Sequence, residues 1–98
     1  MILISFFLKH PISLQVQLPN DNTKPEWKLD GSMVKVSDLP LTTLVSTLRE
    51  RIVKRIESSA PQSRIRLAYE GKEMRNANTI ASYNLEDGDL ITFTVKKK

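Results

Sequence analysis

Apolar and polar residues alternate over 12–18. Ile12, Leu14, Val16 and Leu18 fall on one side, and Ser13, Gln15 and Gln17 on the other. Successive side chains of a strand point to opposite faces, so this spacing predicts a half-buried strand, which Pro19 ends. A polar loop over 20–25 leads through Glu26-Trp27-Lys28-Leu29 to the Asp30-Gly31 turn signal, and a second strand is predicted over 32–36 with Val34 and Val36 inward. Trp27 is expected to cover one edge of the core. Leu41, Leu44, Val45, Leu48, Ile52 and Ile56 then recur at spacings of three and four, one apolar stripe of a helix. Thr42 or Thr43 is the expected cap, and Pro61 lies past the end. Arg49, Arg51, Lys54 and Arg55 fall mostly off the stripe, and a solvated face is expected for them.

Alternation returns over 64–69 and 90–96. Ile65, Leu67 and Tyr69, and later Ile91, Phe93 and Val95, share the core side. Arg64, Arg66, Ala68, Thr92, Thr94 and Lys96 take the opposite side. Between these strands, Glu70-Gly71 turns the chain into a short strand around Glu73-Met74-Arg75, and 76–88 is a connector with one helical turn near 79–83. The predicted fold is α+β: a mixed sheet of four to five strands with one main helix across one face and the other face open.

Ninety-eight residues suffice for one core. There is no cysteine, which excludes disulfides and cysteine-ligated zinc, and the single His10 cannot build a His-rich metal site. The formal charge is +4. Residues 1–42 balance four basic against four acidic groups, so the excess lies in 43–58 and 64–98. Such a balance favours acidic partners. The apolar run 1–8 is too short to span a bilayer, which takes about 20 residues, and it lacks the charged leader of a signal peptide. No membrane association is expected. Residues 1–11 are read as an N-terminal extension or linker remnant, and 12–98 as one domain with a basic C-terminal tail.

The element order, with Tyr69-Glu70-Gly71-Lys72 and Thr79-Ile80-Ala81-Ser82-Tyr83-Asn84-Leu85, resembles the ubiquitin-like domains and implies their β-grasp fold. Pro19-Asn20, Glu26-Trp27-Lys28-Leu29-Asp30-Gly31, Leu39-Pro40-Leu41-Thr42 and Tyr83-Asn84 narrow the likeness to the ubiquitin-like domains that end the splicing factor 3A family, components of the U2 small nuclear ribonucleoprotein. That resemblance implies a nuclear domain that binds an RNA stem-loop of the U1 small nuclear RNA kind. Other splicing-factor subunits would be reached through the rest of a parent protein. It also implies an RNA site at Arg64, Arg66 and Arg75, with Lys96, Lys97 and Lys98 as the tail and Lys72 as a lesser member. The chain departs from the family in having Lys-Lys-Lys where an R-G-G-R stretch precedes the last basic residues. Glu73 also replaces an aromatic side chain.

Other functions are weighed against the same residues. Covalent conjugation needs a terminal Gly-Gly, which Lys96-Lys97-Lys98 does not supply, so no conjugation is expected. The positions matching the apolar docking patch of ubiquitin are Ala68, Thr92 and Thr94, which offer little area to bury. A protein-interaction module of a larger complex is the alternative reading. No nucleophile–base pair, metal-ligand spacing or phosphate-cradling glycine loop is present. Asp87-Gly88-Asp89 lacks calcium-loop spacing, so no enzyme activity, cofactor or metal is expected. The domain is expected to be a monomer. The open face lacks aromatic groups for stacking, which points to reading of duplex shape through ribose and phosphate contacts.

Overall fold

Alternating segments become strands where a neighbour can take their hydrogen bonds. In the computed structural model, which describes residues 11–21 and 23–96, they form β1 (Ile12–Gln17), β2 (Met33–Leu39), β3 (Ile65–Tyr69), β4 (Lys72–Glu73) and β5 (Leu90–Val95). One helix, α1 (Val45–Ile56), crosses the sheet, and short 3-10 turns lie at Pro25–Trp27, Gln62–Arg64 and Ile80–Tyr83. The sheet order is β2-β1-β5-β3-β4, with β1 and β5 parallel and the remaining pairs antiparallel. Five strands in a mixed sheet with one main helix fall within the expected four to five. The apolar run 1–8, His10, Lys97 and Lys98 lie outside the described residues.

The inner face of the sheet and the stripe of α1 close one core. Leu14, Val16, Leu39, Leu48, Ile52, Ile65, Leu67, Ile80, Ile91 and Phe93 are fully buried, and each contributes about 1.5–3 kcal/mol against the entropy of ordering the chain. Trp27 is also buried, at the edge of this cluster, as expected. Tyr69 is half-buried against the core.

The short strand expected around Glu73-Met74-Arg75 is Lys72–Glu73, and three further boundaries differ from the sequence reading for a tertiary reason. The second strand does not end at Val36. The pairing shifts between Leu14↔Val36 and Ile12↔Leu39, so β2 carries one extra residue there. Asp38 absorbs it with a positive φ of 59°, and Leu39 returns to the core face. The third strand starts at Ile65 because Arg64 closes a 3-10 turn, its amide donating to the Pro61 carbonyl. The helix begins at Val45, and neither Thr42 nor Thr43 caps it. The cap position is Leu44, whose side chain cannot accept a hydrogen bond, and Leu44 itself is exposed. Instead the Val45 amide donates to the Asn78 carbonyl (2.9 Å) and the Ser46 amide to the Asn76 carbonyl (3.3 Å). The exchange is mutual, since the Ile80 and Ala81 amides donate to the Thr43 and Leu41 carbonyls. The connector therefore caps the helix with main chain.

The helix C-terminus is local. Glu57 takes a left-handed conformation, its amide and that of Ser58 return to the Lys54 and Val53 carbonyls, and Lys54 and Arg55 place positive charge at the negative end of the dipole. At the far end of the sheet, the Tyr69 hydroxyl donates to Asp89 Oδ2 (3.1 Å), which also accepts from the Glu86 amide.

Two expectations follow from this backbone. Gly31 has φ +79° and an added Cβ would stand 3.2 Å from Asn20 Cβ, whereas Gly71, at φ +80°, faces open space. Gly31→Ala is expected to cost about 2 kcal/mol and Gly71→Ala about 1 kcal/mol, read by chemical denaturation. The second concerns Tyr69, whose hydrogen bond to Asp89 holds its pKa above the ordinary tyrosine value, helped by desolvation and the nearby acidic charges. A raised folded-state value gives stability that is whole below the ordinary tyrosine range and is lost as pH climbs through the raised value. Stability should fall in alkali, and Asp89→Asn should lower the Tyr69 value and flatten that fall. Ring-carbon NMR titration of tyrosine checks the first and denaturation against pH the second.

Candidate nucleic-acid interface

Register decides which side chains share the open face. Gln15 pairs with Lys35 and Leu90, Gln17 with Met33 and Thr92, and Ala68 with Thr92 and Glu73, while Arg66 pairs with Thr94. These residues lie on the face away from α1. The middle of that face is neutral. It holds glutamine, threonine and alanine, with Met33 and Leu90 exposed on either side of β1. Those two exposed apolar residues are not on the expected list. Met33 falls on the outward side of the predicted second strand, and Leu90 starts the last one.

The cations gather at the ends and edge of the sheet instead. Arg64 and Lys96, expected on strands, flank them and meet each other. The Arg64 Nε donates to the Lys96 carbonyl (3.0 Å), and the Lys96 amide donates back to the Arg64 carbonyl. Arg64 also lies over Trp27, with Arg64 Cζ 5.8 Å and Lys24 Nζ 5.7 Å from its ring centre. Trp27 thus serves both the core and a basic corner formed by Lys24 and Arg64, beside the main chain of Lys96.

Arg66 is held more tightly than the alternation suggested. Its Nε stands 3.3 Å from Glu73 Oε2, and its Nη1 donates to the Ser63 and Ile65 carbonyls. The Glu73 side chain is 65% exposed, so the pair is a surface ion pair of about 0–1 kcal/mol and separates readily. Arg64 and Arg66 are both partly exposed. Arg75 follows β4 and is exposed, and its amide donates to the Tyr83 hydroxyl (2.7 Å), which fixes its backbone.

Lys72 is not brought to this group. It pairs with Tyr69, at the opposite end of β3 from Ile65 and roughly 13 Å along the strand from it. Glu70, Glu86, Asp87 and Asp89 collect at that end. The domain is therefore polar in charge along β3, basic at the Arg64 end and acidic at the Tyr69 end.

Arg49 was missed by sequence reasoning. Expected to be solvated, it reaches from α1 to the open edge of β3, where its Nη1 donates to the Ile65 carbonyl (3.1 Å). A groove of about 450 Å³ lies there, lined by Arg49, Ser63, Arg66, Glu73, Arg75 and Asn76 over an apolar floor. The available signal was position: Arg49 follows the buried Leu48 and flanks the stripe. Among the described residues no group of three or more His, Cys, Asp or Glu side chains is placed to hold a metal. No described helix is long and apolar enough to cross a membrane.

Comparison with known proteins follows the same lines. Residues 26–98 match the ubiquitin family. The chain is 37% identical over 90 residues to splicing factor 3A subunit 1 of Homo sapiens and of Bos taurus, a match that covers 92% of this chain. The match spans only 11% of the length of those relatives. Among solved structures, it is similar to the ubiquitin of Caldiarchaeum subterraneum, with a TM-score of 0.68 and 17% identity, covering 91% of this chain and 98% of that one. A structure described as molecular mimicry of SUMO promoting DNA repair gives 0.66 and 24%, covering 87% and 91%. These likenesses establish the ubiquitin-like β-grasp fold.

Proposed function

This chain belongs to the ubiquitin family, and from that premise we propose that it is the RNA-binding ubiquitin-like domain of a nuclear pre-mRNA splicing factor. It acts without catalysis and docks a structured RNA stem-loop of the U1 small nuclear RNA kind. Likeness over 92% of the chain to one segment of splicing factor 3A subunit 1 supports the splicing assignment. Its other partners would be further splicing-factor subunits, reached through chain outside this domain.

The observation that carries the RNA reading is the tie between Arg64 and Lys96. Through it the Arg64 guanidinium is held against the main chain at Lys96, where β5 ends, which supports reading the two basic residues as neighbours at one corner of the sheet. Lys97 and Lys98 extend the same charge in sequence. Arg66 and Arg75 continue it along the edge of β3. Arginine forks and lysine ammonium groups neutralise phosphates, and the glutamine and threonine side chains of the neutral face suit ribose hydroxyls. Lys72 is the weakest member, because it shares its end of the sheet with acidic groups.

The alternative, a protein-interaction module, has its own observation: Met33 and Leu90 stand exposed beside β1 on the open face. Ribonuclease treatment of a pull-down separates the two readings, since a direct protein partner survives it and an RNA-bridged one does not.

The RNA reading has two measurable consequences. With three to five phosphates neutralised, log affinity for a hairpin should fall against log salt with a slope of about −2 to −4, and a flat dependence would reject the mechanism. Arg64→Glu with Arg66→Glu should abolish hairpin binding by fluorescence anisotropy while the amide spectrum keeps its folded dispersion. Glu73→Gln should do the reverse, tightening binding about two- to threefold by removing a carboxylate that repels phosphate and occupies Arg66.

A further inference from the structure

We infer that Arg49 and Arg66 form a two-guanidinium seat for a single RNA backbone phosphate, set in the groove at the open edge of β3. This rests on the RNA reading above and adds to it a helix residue and a defined place for the ligand.

The seat follows from the shortness of β4. With only Lys72 and Glu73, β4 covers Ala68 and Tyr69, and the last closure is the Met74 amide on the Leu67 carbonyl. The rest of the β3 edge is left to side chains. There the Ile65 carbonyl accepts from Arg49 Nη1 and from Arg66 Nη1, each at 3.1 Å. Two nitrogens that share one acceptor at that range stand within about 6 Å of each other, so two full positive charges meet over one partial negative charge. Like charges held so close attract a bridging anion.

The two arginines are unequally matched. Arg66 has Glu73, whereas no carboxylate pairs with Arg49 among the described residues. The Arg49 Nε is buried and makes no hydrogen bond there. A buried donor left in that state is costly, and a guanidinium offers a planar fork that two phosphate oxygens match. Arg75 lines the same groove, as do Ser63 and Asn76, whose polar side chains suit a ribose hydroxyl. A phosphate entering the groove would displace the exposed Glu73 carboxylate from Arg66, which joins this seat to the expected effect of Glu73→Gln.

The test uses the 98-residue chain with nitrogen-labelled arginine, so that each Nε–Hε pair is a separate NMR signal. Hairpin RNA is added in one arm and inorganic phosphate, at matched ionic strength, in another. The expected result is that the Arg49 and Arg66 Nε–Hε signals shift together with RNA. Arg49→Gln should weaken hairpin binding about tenfold and make the salt slope shallower by about one. Arg49→Lys should recover only part of the affinity, because it restores charge without the fork. Arg49 also braces Ile65, so the amide spectrum of each variant is checked for folding, and the wild-type signals need no variant. Hairpin binding with an unmoved Arg49 signal and an unchanged slope in Arg49→Gln overturns the seat while leaving the RNA reading standing. No hairpin binding in the wild type rejects the RNA reading. The seat, stripped of its RNA ligand, then stands if inorganic phosphate moves both signals and falls if it does not.

Discussion

The helix of this domain starts without a side-chain cap, and everything near the basic edge depends on how that deficit is met. Asn76 and Asn78 supply main-chain carbonyls to the first amides of α1, while Thr43 and Leu41 return carbonyls to the connector. A helix terminus buried against a connector in this way cannot rotate or slide without losing several hydrogen bonds together. The connector is therefore part of the helix start. Thr79 caps the next turn by accepting from the Ser82 amide, and Tyr83 then holds the Arg75 amide through its hydroxyl. One set of main-chain bonds thus fixes both where α1 points Arg49 and where Arg75 leaves β4.

That geometry moves the electrostatics away from the plane of the sheet. A ubiquitin-like domain that recognises partners through its open face needs bulk or charge in the middle of it. Here the middle is glutamine, threonine and alanine. Positive charge lies instead at a corner, where Arg64 and Lys24 lie over Trp27, along the edge of β3, where Arg49, Arg66 and Arg75 line a groove, and on the β2 side, where Lys35, Arg51, Lys54 and Arg55 line another. The opposite end of β3 is acidic and binds its own tyrosine. An approaching polyanion meets a gradient along the strand, attraction at one end and repulsion at the other, which orients it before any contact forms. On the proposed reading, a duplex backbone laid along the corner and edge would meet cations spaced in depth as well as along the surface. A flat array on the sheet could not provide that.

Much of this was legible in the residues. The period-two runs identified four of the five strands and their inward side chains, because side-chain alternation survives any tertiary arrangement that buries one face. The 3.6-residue stripe located α1, and the glycine turn with the Thr79–Leu85 motif identified the fold class. Basic residues around the third and last strands were also picked out. What the pattern missed was set by pairing partners. The extra residue at Asp38 that extends β2, and the delayed helix start at Val45, are invisible without the strand and connector that impose them. Arg49 sits beside the stripe, where the helical period alone assigns it to water.

The sequence alone determined the main helix, four of the strands, most of the residues that fill the core and the net positive charge, since these follow from local periodicity and composition. Tertiary structure alone decided where that charge acts. Strand order brings Arg64 to Lys96, a two-residue β4 leaves the β3 edge open, and the shared Ile65 carbonyl draws together guanidinium groups 17 positions apart in the chain. The reason is the range of the interactions. Alternation and helical period are properties of neighbours along the chain, whereas a charged seat depends on which unsatisfied carbonyls the finished sheet leaves at its edge.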